Sequence, residues 1–124
     1  MAWDVAYTDE FGGWWEALNT KDQERVVASV MLLETFGPNL GFPHSSQIKG
    51  SRVSGMRELR VQSRGKPLRV LYAFDPRRTA ILLIGGDKRV SERWYTKMIL
   101  IAERIYEEYL KELGLKEPPD GTKI

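Results

Sequence analysis

Three strand-length segments in a row, joined by tight turns, do most to limit the folds open to this chain. Residues 56–63 alternate Leu59 and Val61 with Glu58, Arg60 and Gln62, the period-two pattern of a strand with one covered face. Arg64, Gly65 and Lys66 read as a hairpin turn. Residues 67–74 put Leu68, Val70, Tyr72 and Phe74 on one face and Arg69, Leu71 and Ala73 on the other. A second turn follows at Asp75, Pro76, Arg77 and Arg78. Residues 79–85 are then apolar on both faces through Ile81, Leu82, Leu83 and Ile84, as a central or doubly covered strand requires. Strands linked this closely form a meander.

The flanks supply the rest of the fold. Trp3, Val5 and Tyr7 alternate with Asp4, Ala6 and Thr8, which predicts one more half-buried strand. Asp9 is placed to cap a short helix through Trp14, Trp15 and Leu18, although Gly12 and Gly13 weaken it. Thr20 and Gln23 have the spacing of a capping box. Val26, Val27, Val30, Met31 and Leu33 then form an apolar stripe, and Gly37 and Pro38 end it. Residues 39–55 read as loop. Ser91 is positioned to cap a final helix in which Trp94, Met98, Ile101, Ile105 and Tyr109 recur at helical spacing. Glu103, Glu107, Glu108 and Glu112 are expected to face solvent, and Gly114 to stop the helix. The expectation is a single α+β, two-layer domain over residues 1–114, in the order β-α-α-β-β-β-α. Its small, twisted, mainly antiparallel sheet carries two N-terminal helices on one face and a long C-terminal helix, with 115–124 as a flexible tail. A chain of 124 residues is long enough to bury one useful core.

Charge is sorted along the chain. Residues 44–97 hold 13 Lys/Arg against 4 Asp/Glu, while the rest hold 6 against 13. A local +9 thus hides inside an overall +2, and it falls on the strands. Cations concentrated on a rigid sheet attract polyanions, nucleic acid above all. The chain has no cysteine and one histidine, His44. Disulfides, thiolate metal sites, a two-histidine acid/base pair and a paired-histidine zinc site are therefore excluded. No apolar run is long enough to span a bilayer, and the first residues lack the basic and apolar regions of a signal peptide. These features suit a cytoplasmic protein with no membrane partner and no cofactor.

The ordered segments GPNLGFPHSSQIKGS (37–51), MRELRVQSRGKPLRVLYAFDPRR (56–78), AILLIGGDK (80–88) and RWY (93–95) resemble RelE/HigB-type toxins of bacterial type II toxin–antitoxin systems, in particular the phage-derived, HigB-like branch of the RelE/ParE superfamily. The likeness runs from about Phe11 to about Tyr109. It implies a RelE-like fold and a metal-independent, ribosome-dependent mRNA endonuclease that inhibits translation. It also implies a cognate antitoxin, usually of helix-turn-helix type, as partner beside the ribosome and mRNA. The same superfamily holds ParE-like toxins that poison gyrase, and fold alone does not separate the two. A non-catalytic nucleic-acid-binding module is the third possibility.

Metal-free RNA cleavage needs a base for the 2′-OH, a cation for the phosphorane and an acid for the 5′-oxygen. Arg69 matches the family arginine beside the scissile phosphate, where a guanidinium fork grips oxygens in pairs. Arg60, Lys88, Asp87 and Tyr95 complete the catalytic candidates, with Asp87 orienting Lys88 or acting as base and Tyr95 resembling a family tyrosine. Lys49, Arg57, Arg89 and Arg93 are candidate RNA contacts. For several there is a plainer role: a cross-strand ion pair for Arg60 and Arg69, a helix cap for Asp87, an apolar stripe for Tyr95. His44 reads as an exposed loop residue.

Overall fold

The computed structural model describes residues 2–89 and 92–114, with the backbone alone for Glu92. The expected cap Ser91 and the tail 115–124 lie outside the described residues. The elements are β1 (Val5–Tyr7), α1 (Asp9–Glu16), α2 (Thr20–Phe36), a 3-10 turn (Gly37–Asn39), β2 (Ser45–Gln47), β3 (Arg57–Ser63), β4 (Lys66–Phe74), β5 (Ala80–Asp87) and α3 (Glu92–Glu112). The five strands form one sheet in the order β1-β5-β4-β3-β2. β1 runs parallel to β5, and every other pairing is antiparallel. The meander and the α+β architecture hold as expected. The strand β2 replaces part of the expected loop. Ser45, Ser46 and Gln47 carry no apolar alternation, and they pair with β3 because its open edge supplies the hydrogen bonds.

Side-chain alternation on β4 divides the core in two. Leu68, Val70 and Tyr72 point to one face and join Leu59, Val61 and Leu82 under Phe11 of α1 and Val26 and Leu33 of α2. Leu71 and Ala73 point to the other and join Ile81 and Leu83 under Met98, Ala102, Ile105 and Tyr106 of α3. The long helix thus covers the face opposite α1 and α2, adding a layer to the two expected. A bulge between β4 and β5 at Leu71/Tyr72 shifts the register by one residue, so Gly86 faces α3 and Gly85 faces α1. Each glycine serves an indole: a Cβ on Gly85 would run into Trp14, and one on Gly86 into Trp94. Their close approach is to neighbouring helices.

Local details correct several expectations. Thr8, not Asp9, caps α1; its Oγ1 accepts from the Phe11 N–H at 3.1 Å and donates to the Leu83 carbonyl at 2.7 Å. Asn19, not Thr20, caps α2 by accepting from the Asp22 N–H at 2.9 Å, while Gln23 donates to the Trp15 carbonyl at 3.0 Å instead of closing a capping box. In the α2 stripe Val26 and Leu33 are buried, whereas Val27 and Met31 are exposed. Glu103 is buried rather than solvated, because the loop before β3 folds onto α3. It accepts from Ser51 Oγ, the Arg52 N–H and Arg52 Nη1, each at 2.7 Å. Arg64 and Gly65 both adopt positive φ, 50° and 79°, as a two-residue hairpin turn matched to strand twist demands.

That hairpin is tied to α2 through Asp22, a buried carboxylate. Ser63 Oγ donates to it at 2.5 Å, Lys66 pairs with it, and Arg64 Nη2 approaches at 3.4 Å. The hydrogen bonds from Lys66 and Ser63 lead in holding its carboxyl at about 2, down from 3.8. Because the folded value lies below the unfolded one, this stabilisation is complete above about pH 4 and is lost as pH falls towards about 2. Asp22→Asn is expected to lower stability by roughly 2 kcal/mol at neutral pH, the partly exposed cations softening the loss of a buried pair. Urea unfolding followed from about pH 6 down to about pH 2 checks this: the variant loses less stability on acidification than the parent. Parallel curves for the two proteins would remove Asp22 from this role.

Candidate functional site

The site forms where α3 begins. On β4, Arg69 shares a face with Leu71 and Ala73 but lies nearer the strand's start, beside the first turns of α3. β3 brings Arg60 directly opposite Arg69, and β5 brings Gly86 opposite it on the other side. Two guanidinium groups on adjacent strands repel unless an anion sits between them. Glu58, two residues before Arg60 and on the same face, is that anion.

Glu58 is 5% exposed and has a full set of donors. Its Oε2 accepts from Arg60 Nη1 and from Ser46 Oγ, both at 2.8 Å, and its Oε1 accepts from the Tyr95 hydroxyl of α3. Arg69 Nε lies 3.8 Å from Oε2, outside hydrogen-bond range. That buried nitrogen has no hydrogen-bond partner among the described residues, although Arg69 Nη1 donates to the Leu68 carbonyl at 2.9 Å. The strands therefore bring Arg69 to the carboxylate without closing a hydrogen bond, and an orphaned buried donor is costly. Lys88 follows β5 and places Nζ 4.8 Å from the centre of the Tyr95 ring. Arg60, Arg69, Lys88 and Tyr95 thus share one polar cluster with Glu58 at its centre.

Electrostatics fix the proton states. Burial alone would raise the Glu58 carboxyl. Hydrogen bonds from Tyr95 and Ser46 and the charges of Lys88 and Arg69 outweigh it and hold the group below the usual carboxylate range. Burial, and then the bond to Glu58, pushes the Tyr95 phenol well above its ordinary value. Burial, and then the charge of Arg60, pulls Arg69 down. At neutral pH Glu58 is thus an anion and Tyr95 keeps its proton.

The remaining candidates lie elsewhere. Asp87 pairs with Leu68 on β4, which turns it to the α1 face, away from Arg69. It is bound by Arg89, with Nη2 to Oδ2 at 2.6 Å, and that bond leads in lowering its carboxyl. It therefore neither orients Lys88 nor faces the arginines. Arg89 is exposed and spends its fork on this pair. Arg57 also faces the α1/α2 side, where Nε donates to Ser45 Oγ at 2.9 Å; strand alternation separates it from Arg60. Lys49 is exposed two residues past the end of β2, and Arg93 is exposed on the first turn of α3. Sequence reasoning places Glu58 only on the same strand face as Arg60. Its central position depends on Ser46 and Tyr95 arriving from β2 and α3. Phe42 carries no sequence signal at all; Arg60 lies over its ring at 5.2 Å from the centre.

Residues 13–107 match the family described as phage-derived protein Gp49-like (DUF891). Two proteins of Mycobacterium tuberculosis, named as putative HigB toxins, are similar. HigB2 is 36% identical over 92% of this chain, which spans 58% of HigB2's own length. HigB3 is 43% identical over 78% of this chain and 84% of HigB3. The chain belongs to the Gp49-like, HigB-type toxin family. Its fold is that of RelE: the free Escherichia coli toxin RelE, solved as a double arginine-to-alanine mutant, superposes with TM-score 0.57 at 13% identity, over 90% of this chain and 98% of RelE. The RelE–RelB complex from Pyrococcus horikoshii contains a chain that superposes with TM-score 0.54 at 15% identity, over 73% of this chain and 100% of that one.

Replacing Glu58 by Gln keeps the shape and removes the charge. The Tyr95 phenol is then expected to ionise at lower pH than in the parent, because the anion that opposes its ionisation has gone. Alkaline titration of tyrosinate absorbance, with Tyr95→Phe to assign the signal, reads this directly. An unchanged Tyr95 titration in Glu58→Gln would break the coupling between the two.

Proposed function

We propose that this chain is the toxin of a type II toxin–antitoxin pair and acts as a metal-independent, ribosome-dependent mRNA endonuclease. The observation that carries the reading is the cross-strand pair Arg60/Arg69, gathered with Lys88 and Tyr95 around one buried carboxylate. An ion pair that served stability alone would close its donors; this one leaves Arg69 Nε without an acceptor among the described residues. The local +9 of residues 44–97 is spread over these strands, the loops beside them and the start of α3, and favours a polyanion. Family membership and the RelE fold agree with a toxin.

In this reading the ribose 2′-hydroxyl loses its proton to solvent water as its oxygen attacks the adjacent phosphorus, and the bond to the 5′-oxygen breaks as that oxygen takes up a proton. The products are a 2′,3′-cyclic phosphate and a free 5′-hydroxyl. Arg69 and Arg60 bind the non-bridging oxygens as negative charge builds, the step in which preorganised cations contribute most. Lys88 adds a third positive charge at the rim. Tyr95 is the proton donor to the leaving oxygen in this reading, which requires its hydroxyl to turn from Glu58 Oε1. Glu58 spaces and orients the two arginines. The partner is a cognate antitoxin of helix-turn-helix type; a RelE toxin in complex with RelB, as in Pyrococcus, supports an antitoxin partner. The mRNA substrate on the ribosome places the action in the cytoplasm.

Brief expression in bacteria followed by mapping of mRNA ends tests the reading. The parent is expected to arrest translation and generate new mRNA ends, and Arg69→Ala, still folded, to lose cleavage on the order of 100-fold. Intact mRNA with a DNA-damage response would replace the proposal with gyrase poisoning. Full toxicity in Arg69→Ala would remove the arginine pair from the mechanism.

A further inference from the structure

We propose that Phe42 is a stacking platform for a base of single-stranded RNA, set beside the Arg60/Arg69 phosphate grip. The inference rests on the reading above and assigns a further substrate contact to that site. Phe42 is 76% exposed, the most exposed large apolar side chain among the described residues. Leaving a phenyl ring in water forgoes burial energy, and no core demand accounts for it. The ring is nevertheless positioned. The Gly41 carbonyl accepts from the N–H groups of His44 and Ser45 at 3.0 and 3.1 Å, and the Arg60 N–H donates to the His44 carbonyl at 2.8 Å. The 41–45 segment is thereby held along the edge of β3, beside Arg60.

Arg60 lies over the Phe42 ring at 5.2 Å from its centre, so one side chain touches both the aromatic and the carboxylate hub. Pro43 lines a groove of about 200 Å³ with Arg60, Gln62 and Arg69. A second groove of about 370 Å³ adjoins it across Pro43 and Arg60, lined also by Arg25, Ser29 and His44. The two grooves thus run from Arg69 over Arg60 to Arg25, and Phe42 stands beside them, next to Pro43 and against Arg60. An exposed aromatic face interleaved with guanidinium groups is how proteins hold single-stranded nucleic acid: backbone on cations, bases on rings. The polar surround argues against an apolar protein partner, which would need more than one isolated ring.

The test measures mRNA cleavage by the full chain in a ribosome-containing translation reaction, with Phe42→Ala, Phe42→Leu and Phe42→Trp. Loss of stacking in the Ala and Leu variants is expected to raise KM for mRNA roughly tenfold with little change in kcat. Trp, with its larger ring, restores the parent's KM. Because the side chain is exposed, the thermal midpoint is expected to stay the same in all three. If Phe42→Leu cleaves like the parent while Arg69→Ala is inactive, the inference falls and the ribonuclease reading survives. If the parent cleaves no RNA, the reading itself fails. Unchanged cleavage with lost neutralisation by antitoxin would overturn the inference in favour of a protein contact.

Discussion

Everything in this molecule depends on β4 being buried on both faces. One strand carries two apolar sets, Leu68/Val70/Tyr72 and Leu71/Ala73, and each needs its own cover. That requirement places α1 and α2 on one side of the sheet and α3 on the other. It also decides where charge can go. Arg69 shares the α3 face but stands near the helix's start, so it is buried in protein yet close to the rim. A guanidinium there must be compensated, and β3 supplies Glu58.

Glu58 joins three elements of the fold at one carboxylate. Ser46 reaches it from the edge strand, Arg60 from its own strand and Tyr95 from the helix. Its geometry is firm on the Arg60 side and open on the Arg69 side. Buried ion pairs bring little net stability once desolvation is counted, so the two arginines held side by side add little to the fold. The acidic remainder of the chain is used differently: Glu103 and Asp22 pin the loop before β3 and the β3–β4 hairpin, keeping the basic strands in register.

Much of this is legible in the residues. Period-two alternation shows β3 and β4, the double-sided apolar run shows β5, and the spacing of Met98 and Ile105 shows α3. Arg60, Arg69 and Lys88 emerge as a group because strand alternation and the family motifs act on the same segments. Asp87 is not legible: the face of the sheet it presents turns on a bulge between β4 and β5 that leaves no mark in the pattern. β2 is not legible either, since an edge strand of serines is selected by its partner's open hydrogen bonds. Glu103 looks solvated because its partners lie about 50 positions away in a loop whose path the residues do not define.

Sequence alone determined the class of fold, the concentration of positive charge in residues 44–97 and the exclusion of thiol and paired-histidine chemistry. These follow from periodicity and composition, which are local or additive. Tertiary structure alone decided which cations face one another, that Glu58 lies between them, that Tyr95 bonds to Glu58 and that Phe42 stands beside Arg60. Those facts depend on register, on the face each strand presents and on desolvation, all of which arise only when distant segments are packed together.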